Sequence, residues 1–308
     1  MKCNVIFDSR HDIHLCLSVE EYLLNTIEKN SVLLFLWQSN NSVVIGRNQN
    51  PWKEVNIEYA EENDIQLARR ISGGGAVYHD LGNLNFSFIS SIENHSLENN
   101  FSIILEALKA FNITVSRTNT HDLLFQGKKF SGTALAIKKT AVLHHGTLLM
   151  DSNLKMMESL DSGANIFRAR GTGSRKSDVV NLVHANGTIS IQNLKSILVA
   201  EFIKHYNCDN APLDASVYTS LPPVKELYDK NISWDWLFGK TPQFFAEYWH
   251  NEQGVQFEII DGLVGKSKIL PKGEYRNHDG GRKRFTRTNV TRLLKEENIF
   301  GEQQTLVG

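Results

Sequence analysis

The sequence predicts an α+β protein with a large mixed, mostly antiparallel sheet domain, flanking helices and a small α+β domain at the carboxyl end. Short apolar runs separated by turn residues alternate with isolated helical patterns, which is typical of hairpins with helices packed against them. A stretch rich in Gly, Ser and Arg over 161–178 interrupts this pattern. A hairpin signal follows an aromatic cluster near the carboxyl end. We therefore predict one domain over 1–240 and a small accessory domain over 241–308.

Hydrophobic periodicity and turn residues assign the elements in order along the chain. Strands are predicted at 4–7, 32–37, 43–45, 65–68, 75–78, 84–89, 113–115, 123–125, 130–137 and 142–150. Helices are predicted at 17–27, 56–63, 101–111, 193–205 and 221–228. The runs 32–37 and 43–45, joined by Ser-Asn-Asn-Ser, predict a hairpin, and Asp261-Gly262 predicts a type I′ turn. The stretch 161–178 is predicted to be a long mobile loop.

Composition and charge exclude several classes of protein. The 308 residues include 33 basic and 34 acidic side chains, so nucleic acid is not an expected partner of the whole surface. The longest apolar run, 32–37, is too short to span a bilayer, so we expect no membrane partner. Residues 1–10 lack the apolar core of a signal peptide. These features predict a cytoplasmic protein, or a mitochondrial matrix protein if the source is eukaryotic.

The cysteines predict a reducing environment. Cys3, Cys16 and Cys208 are widely spaced and form no Cys-x-x-Cys pair. Zinc ribbons and dithiol redox motifs are therefore excluded. We expect three unpaired thiols.

A glycine-rich segment is the strongest functional signal in the sequence. Ser72-Gly73-Gly74-Gly75 follows two arginines, Arg69 and Arg70. Consecutive glycines let a ligand approach backbone N–H groups closely, and the arginines suit a phosphate or carboxylate. A plain turn between strands is the alternative interpretation. The phosphate-binding P-loop and the dinucleotide fingerprint are both excluded by the spacing.

Two further segments are weaker signals. Lys129 stands beside a run of small residues, so it could reach a bound anion, although the pattern alone favours a solvated turn lysine. His144 and His145 are adjacent, and adjacent residues of a strand point to opposite faces. One of the two rings could therefore line a pocket, and a buried, hydrogen-bonded histidine is the alternative.

Together these segments resemble the lipoate–protein ligase A family. The matches are Arg69 to Asn83, Lys129 to Ala134 and His144 to Leu149, supported by 35–37, 43–54 and 234–242. The similarity extends from about Asp8 to Pro242. It implies the fold of the biotin/lipoate ligase superfamily for a catalytic domain over 1–240, and a monomer.

The resemblance implies a two-step reaction. Lipoate and ATP, with Mg²⁺, would form lipoyl-adenylate and pyrophosphate. The lipoyl group would then pass to a lysine of apo lipoyl domains of 2-oxoacid dehydrogenase complexes or of the glycine-cleavage H protein. ATP and lipoate are substrates in this scheme, and no cofactor is permanently bound.

The same resemblance assigns site residues by matching positions. Lys129 is the catalytic residue and contacts both the lipoyl carbonyl and the phosphate. The predicted ATP and lipoyl-adenylate ligands are Arg70, Gly75, Ala76, Val77, Tyr78 and Lys129. The predicted lipoate ligands are Ser72, Gly73, Lys129 and His145, and Asp122 is the candidate Mg²⁺ ligand. His79 is a further candidate near the site.

This sequence departs from the family pattern at three positions. His121 replaces an asparagine before the aspartate, which implies a different phosphate contact. Phe130 replaces an aliphatic residue, and its bulk is expected to narrow the acyl slot. Asp178 replaces an arginine of the bacterial ligases, and an acid there would repel phosphate. The lipoyltransferases, which use preformed lipoyl-adenylate and activate lipoate poorly, also lack that arginine, so lipoyltransferase is the alternative function.

Two other members of the superfamily fit less well. Octanoyltransferases need a nucleophilic cysteine, and no cysteine lies in the matching motifs. Biotin–protein ligases carry a Gly-Arg-Gly-x-x-Gly-Arg run that is missing here.

A basic segment near the carboxyl end allows three interpretations. Between Lys266 and Lys295, ten Lys or Arg residues stand against two acids. This surface could dock the acidic face of a lipoyl domain, bind nucleic acid, or only be solvated, which is the usual role of a charge run.

Overall fold

The computed structural model describes residues 1–160, 166–167, 172–174, 177–209, 211–250, 252–271, 273–277 and 283–296. Most of the predicted loop over 161–178 therefore lies outside the described residues. Within the described ranges, no helix has both the length and the apolar character needed to cross a membrane.

Strands and isolated helices alternate irregularly along the chain. The strands are β1 (Lys2–Phe7), β2 (Ser31–Trp37), β3 (Ser42–Ile45), β4 (Gln66–Arg69), β5 (Val77–His79), β6 (Asn83–Ser91), β7 (Ser116–Arg117), β8 (Leu123–Phe125), β9 (Lys128–Ser131), β10 (Thr133–Ile137), β11 (Ala141–Leu149), β12 (Ile166–Phe167), β13 (Leu213–Asp214), β14 (Phe244–His250), β15 (Gln253–Ile260), β16 (Leu263–Leu270) and β17 (Tyr275–Asn277). The helices are α1 (Ile13–Thr26), α2 (Pro51–Glu54), α3 (Ile57–Glu62), α4 (Leu97–Lys109), α5 (Leu154–Ser159), α6 (Ile191–Tyr206), α7 (Ser216–Thr219), α8 (Pro222–Ile232) and α9 (Arg287–Glu296).

The central sheet has the strand order β10-β11-β6-β2-β1-β13. β1 pairs in parallel with β2 and β13, whereas β2, β6, β11 and β10 pair antiparallel. Every residue of β2 and β6 is buried. This confirms the predicted mixed, mostly antiparallel sheet.

Helices cover both faces of the central sheet. Adjacent strand residues point to opposite faces, so Leu34 packs in the core beneath α4 and α6, while Phe35 packs in the core beneath α1 and α8. Two of these helices begin where a side-chain cap satisfies a free backbone N–H group. Asp12 accepts from Leu15 N–H at the start of α1, and Ser96 accepts from Asn99 N–H at the start of α4.

A second, small sheet with the order β4-β3-β5 lies beside the central one. The predicted hairpin of 32–37 and 43–45 is therefore wrong, because β2 and β3 belong to different sheets. β3 instead pairs in parallel with β4 and antiparallel with β5. The connecting turn packs on the residues before α1, where Asn40 N–H donates to His11 O at 2.8 Å. A local turn signal could not reveal that contact.

Two other predicted strands differ from the structure. The run 113–115 lies before β7, which begins at Ser116. The run 130–137 is divided at Gly132 into β9 and β10, which belong to different sheets.

A carboxyl-terminal sheet domain is present, with the order β12-β14-β15-β16-β17 and α9 packed against it. Asp261 (φ 54°) and Gly262 (φ 71°) both adopt positive φ between β15 and β16, as a type I′ turn requires. The hairpin prediction is therefore confirmed. The boundary at residue 241 stays a prediction.

The expectation of three unpaired thiols is wrong for two of the cysteines. Cys3 on β1 and Cys208 after α6 form a disulfide, with their Cα atoms 5.6 Å apart. They are separated by 205 positions in sequence, so spacing alone could not pair them. Cys16 is free and buried, and burial raises the pKa of its thiol well above the usual value.

Several cations of the basic segment contact other parts of the chain. Arg287 forms an ion pair with Glu58 at 2.7 Å. The Arg284 guanidinium lies 4.8 Å from the centroid of the Trp234 ring, and Lys268 Nζ lies 5.4 Å from that of Tyr275. These contacts tie the domain to itself and to its neighbour. They give no support to a binding role for this segment.

Candidate active site

A cavity of about 520 Å³ lies between the central sheet and the small sheet. Its floor includes a row of residues in register on three neighbouring strands, Trp37, Asn85 and Thr147. Thr147 N–H donates to Gly132 O at 3.1 Å, which continues the row toward β10. Because neighbouring strands lie about 4.8 Å apart, the row from Trp37 to Gly132 spans about 14 Å.

The outer end of the cavity carries an ion pair. Lys129 Nζ lies 2.9 Å from Asp122 Oδ1, and the two side chains are 28% and 23% exposed. Gly132 makes room for this lysine, since a Cβ there would stand 2.9 Å from Lys129 Cε. Thr120 Oγ1 donates to Asp122 Oδ2 at 3.4 Å. A cation is thus held at the mouth of the cavity, where a bound anion could exchange with the aspartate.

Backbone bonds fix the position of Lys129. Its N–H donates to Asp178 O at 2.8 Å, and its carbonyl accepts from Val180 N–H at 2.9 Å. The segment that follows the long loop is therefore attached directly to the lysine strand.

The glycine loop is organised by Arg70. This guanidinium donates from Nη2 to the carbonyls of Gly73 and Gly75, both at 2.7 Å, and from Nη1 to Val44 O at 2.8 Å. Burial lowers the pKa of Arg70 to about 10, so the group stays cationic at neutral pH. Position 74 requires glycine, because its φ of +92° is a backbone conformation that other residues rarely adopt. Arg70 therefore holds the loop in shape, and both Arg70 and the loop line the cavity.

A buried hydrogen-bonded chain runs from the glycine loop to α1. Arg70 Nε donates to Ser72 Oγ at 3.1 Å, and Ser72 Oγ lies 2.6 Å from His145 Nε2. His145 Nδ1 lies 2.9 Å from Glu20 Oε1, and it must donate because a carboxylate only accepts. Ser87 Oγ also donates to Glu20 Oε1, at 2.5 Å. The chain fixes the His145 ring that lines the cavity.

The inner part of the cavity contains a second histidine. His79 is 3% exposed, and its ring centroid lies 5.7 Å from that of Trp37 in an edge-on contact. Burial, with smaller effects of Arg70 and His145, lowers the pKa of His79 to about 3. The ring is therefore neutral at pH 7.

Because His79 and His144 are both buried, we expect the stability of the fold to fall as the pH is lowered. Burial also lowers the pKa of His144 to about 3. Unfolding returns both rings to a pKa near 6.5, so the unfolded chain takes up protons that the folded chain refuses. Stability is complete above about pH 6.5 and is lost as pH falls toward 3, by about 2 kcal/mol for each ring at pH 5.

Urea unfolding at pH 7.5 and pH 5 measures this loss. His144→Leu should reduce the pH dependence of the free energy of unfolding, because it removes one of the two titrating rings. His144 is packed between the rings of Phe88 and Phe101, where a leucine is also apolar. An unchanged free energy of unfolding over this pH range would contradict the prediction.

The structure brings most of the predicted site residues together. The predicted residues that line the cavity are Arg70, Gly75, Ala76, Val77, Asp122, Lys129 and His145, together with His79. Ser72 and Gly73 do not line it directly. Tyr78 points away, since its hydroxyl donates to Asn41 Oδ1 at 3.2 Å and its ring packs in a separate core.

Two of the departures from the family pattern have a different effect from the one expected. Phe130 is fully buried in the core beneath α4 and α6, so the expectation that it narrows the slot is wrong. Alternation along β9 sends Lys129 and Phe130 to opposite faces. His121 does not line the cavity, and its ring stacks on Phe101 at 5.9 Å.

Sequence reasoning missed several residues of the site. Trp37, Asn85 and Thr147 line the floor, and Glu20 holds His145. Glu20 lies within α1, and the sequence pattern of a helix gives no reason to expect an acidic residue in it to be buried. Trp37 and Thr147 lie in segments that match the family pattern, but their meeting with Asn85 on the floor depends on strand register.

Ser174 is a further residue that sequence reasoning missed. Its hydroxyl accepts from Ala76 N–H at 2.9 Å and from Gln49 Nε2 at 3.1 Å. Its own N–H donates to Glu54 Oε2 at 2.9 Å. The segment Thr172–Ser174 therefore lies across the glycine loop and contributes to the cavity wall.

The fold and the cavity define an enzyme of the ligase or acyl-transfer type. The lipoyl protein ligase A/B catalytic domain family matches residues 12–203. The chain belongs to this family.

Relatives support this membership over most of the chain. Lipoate-protein ligase A of Psychrobacter cryohalolentis is 38% identical over 253 residues, covering 80% of this chain and 74% of the relative. The human mitochondrial lipoyl amidotransferase LIPT1 is 36% identical over 273 residues, covering 82% and 72%. The crystal structure of Plasmodium falciparum LipL1 in complex with lipoate superposes with a TM-score of 0.69 at 29% identity, covering 97% of this chain and 96% of that one.

Proposed function

We propose that this enzyme activates lipoate with ATP and transfers the lipoyl group to a lysine of an apo lipoyl domain. A lipoate carboxylate oxygen attacks the α-phosphorus of ATP, and pyrophosphate leaves. The acceptor's ε-amine, as the free base, then attacks the acyl carbon, loses its proton, and AMP leaves. Lipoyl domains of 2-oxoacid dehydrogenase complexes and the glycine-cleavage H protein are the proposed acceptors.

One observation carries this proposal: the Lys129 cation lies at the outer end of a cavity whose other wall is the glycine loop. Charge builds up on the carboxylate and phosphate oxygens as the mixed anhydride forms and breaks. A cation already fixed by its strand stabilises that charge without reorganising. The backbone of Gly75 and Ala76 would approach the phosphate, and Arg70 would hold that backbone in place.

The residues at the mouth of the cavity offer one carboxylate ligand for a magnesium ion. Mg²⁺ is usually bound by one or two carboxylates together with substrate phosphates and waters. Asp122 supplies one such carboxylate. Within the described residues, no group of three or more His, Cys, Asp or Glu side chains forms a dedicated metal site. Asp122 would therefore hold Mg²⁺ together with the nucleotide, and the ion would offset phosphate charge.

The positions of the cysteines support direct transfer without an acyl-enzyme. Cys16 is a buried residue of α1, and Cys3 and Cys208 are joined to each other. None of the three lines the cavity. No thiol is therefore placed to attack the acyl carbon.

A lipoyltransferase that uses preformed lipoyl-adenylate is the second candidate. The Asp178 backbone carbonyl accepts from Lys129 N–H, so the position that replaces the arginine of the bacterial ligases adjoins the catalytic strand. The Asp178 side chain is exposed and does not line the cavity, so this position supplies no cation for the phosphates of ATP. The similarity to LIPT1, named a lipoyl amidotransferase, points the same way.

The test is the intact mass of an apo lipoyl domain after incubation with the protein. One sample receives lipoate, ATP and Mg²⁺, and the other receives synthetic lipoyl-adenylate alone. We expect the lipoyl mass increase in both samples. Modification with the adenylate alone would establish the second candidate. No increase in either sample, with a folded acceptor, would exclude both functions.

A further inference from the structure

The inner end of the cavity contains polar atoms that have no partner among the described residues. Asn85 is 2% exposed, and its Nδ2 makes no hydrogen bond. Its Oδ1 accepts from Asn83 Nδ2 at 3.0 Å. Both ring nitrogens of His79 are likewise unpartnered. Both residues line the cavity.

These groups lie at the end of the cavity opposite Lys129. Asn85 is in register with Trp37, and the Trp37 ring contacts that of His79. Gly132, against which Lys129 packs, is on the far side of Thr147 from Asn85. A carboxylate bound at the lysine would therefore direct its chain along the row toward Asn85.

An unpartnered amide is unfavourable in a buried site. A buried donor that loses its water without gaining a partner destabilises the structure, so native proteins pair nearly all such groups. The neutral His79 ring offers one donor and one acceptor, and Asn85 Nδ2 offers donors. The inner end is thus prepared for a ligand atom that accepts hydrogen bonds.

We propose that Asn85, with His79, selects an acyl chain that carries hydrogen-bond-accepting atoms near its far end. Lipoate and octanoate share an eight-carbon chain, but lipoate has sulfur atoms on carbons 6 and 8. Sulfur is a weak acceptor that can engage the Asn85 amide, whereas the octanoyl chain leaves that amide unpaired. This inference rests on the proposed function and makes the inner end the determinant of lipoate over octanoate.

The first experiment uses the wild-type protein and calorimetric binding of three acids without ATP. These are lipoate, octanoate and 8-hydroxyoctanoate. We expect lipoate to bind about tenfold more tightly than octanoate, because the donor is paired. The hydroxy acid should bind at least as well as octanoate. If the inner end were purely apolar, the hydroxy acid would bind at least tenfold more weakly than octanoate, since its hydroxyl would be buried without a partner.

The second experiment compares Asn85→Leu with a matched control. Leucine keeps the branched shape of asparagine and removes the amide, so the ratio of lipoate to octanoate efficiency should fall about tenfold. Asn100→Leu removes an amide of similar burial on the other face of the sheet, where Asn100 Nδ2 lies 3.2 Å from His144 Nδ1. That control should leave the ratio unchanged.

The outcomes separate this inference from the proposed function. Equal binding of lipoate and octanoate to the wild type, or an unchanged ratio in folded Asn85→Leu, would overturn the inference while acyl transfer persisted. Absence of binding and transfer for all three acids would overturn the proposed function. If Asn85→Leu does not fold, the wild-type series decides alone.

Discussion

Lys129→Ala is expected to lower both lipoyl-adenylate formation and transfer from synthetic lipoyl-adenylate by about a thousandfold. The lysine supplies the cation at the mouth of the cavity, and its nearest charged partner is Asp122 at 2.9 Å. Without it, Asp122 faces the incoming phosphate as an uncompensated negative charge. Pyrophosphate release measures the first step, and the intact mass of the acceptor measures the second.

Lys128→Ala is the matched control for this variant. Lys128 is the preceding residue of the same strand and is exposed. The control removes the same charge without touching the cavity, so its rates should stay within a factor of two to three of wild type. If transfer survived unchanged in Lys129→Ala with an unaltered thermal midpoint, the catalytic role of this lysine would be wrong.

Arg69→Leu is expected to lower the free energy of unfolding by about 3 to 5 kcal/mol. Arg69 is 1% exposed. It donates to the carbonyls of Arg47 at 2.9 Å, Gln49 at 2.8 Å and Leu237 at 2.6 Å. Leucine would leave these carbonyls buried without donors. Arg69→Lys should recover only part of the loss, because one ammonium cannot span both groups of acceptors.

Arg47→Leu is the control for the stability measurement. Arg47 is exposed. Its replacement by leucine removes the same positive charge from the same region of the protein. Its free energy of unfolding should change by no more than about 0.5 kcal/mol. Urea titrations followed by tryptophan fluorescence suit both variants. Equal urea midpoints for Arg69→Leu and Arg47→Leu would contradict the role of the Arg69 hydrogen bonds in stabilising the fold.

Arg69 also joins the strand before the glycine loop to a segment distant in sequence. Its Nη2 donates to Thr241 Oγ1 at 3.2 Å, and Trp236 Nε1 donates back to the Arg69 carbonyl at 2.7 Å. The segment that leads into the carboxyl-terminal sheet is therefore tied to the strand that precedes the loop. The sequence presented Arg69 and Arg70 as a pair suited to bind anions. In the structure both guanidinium groups donate to backbone carbonyls, and Arg70 also lines the cavity.

Local sequence determined the parts of this protein that depend on neighbouring residues. Gly74 at φ +92° and Asp261-Gly262 at positive φ follow from backbone sterics, so the loop and the hairpin could be predicted. The alternation of β2 and β6 with helices likewise predicted an α+β sheet. The glycine-rich segment, taken together with the segments around Lys129 and His145, was distinctive enough to indicate the family.

Only the tertiary structure decided which distant residues meet. The floor row depends on the register of β2, β6 and β11, which no single strand encodes, and a slip of one residue would turn Asn85 to the other face. The same holds for Glu20 beside His145, 125 positions apart, and for Cys3 beside Cys208. Periodicity records which face of an element is buried, but packing between elements selects the partners. The chemistry of the mouth was therefore readable from sequence, whereas the selectivity of the inner end was not.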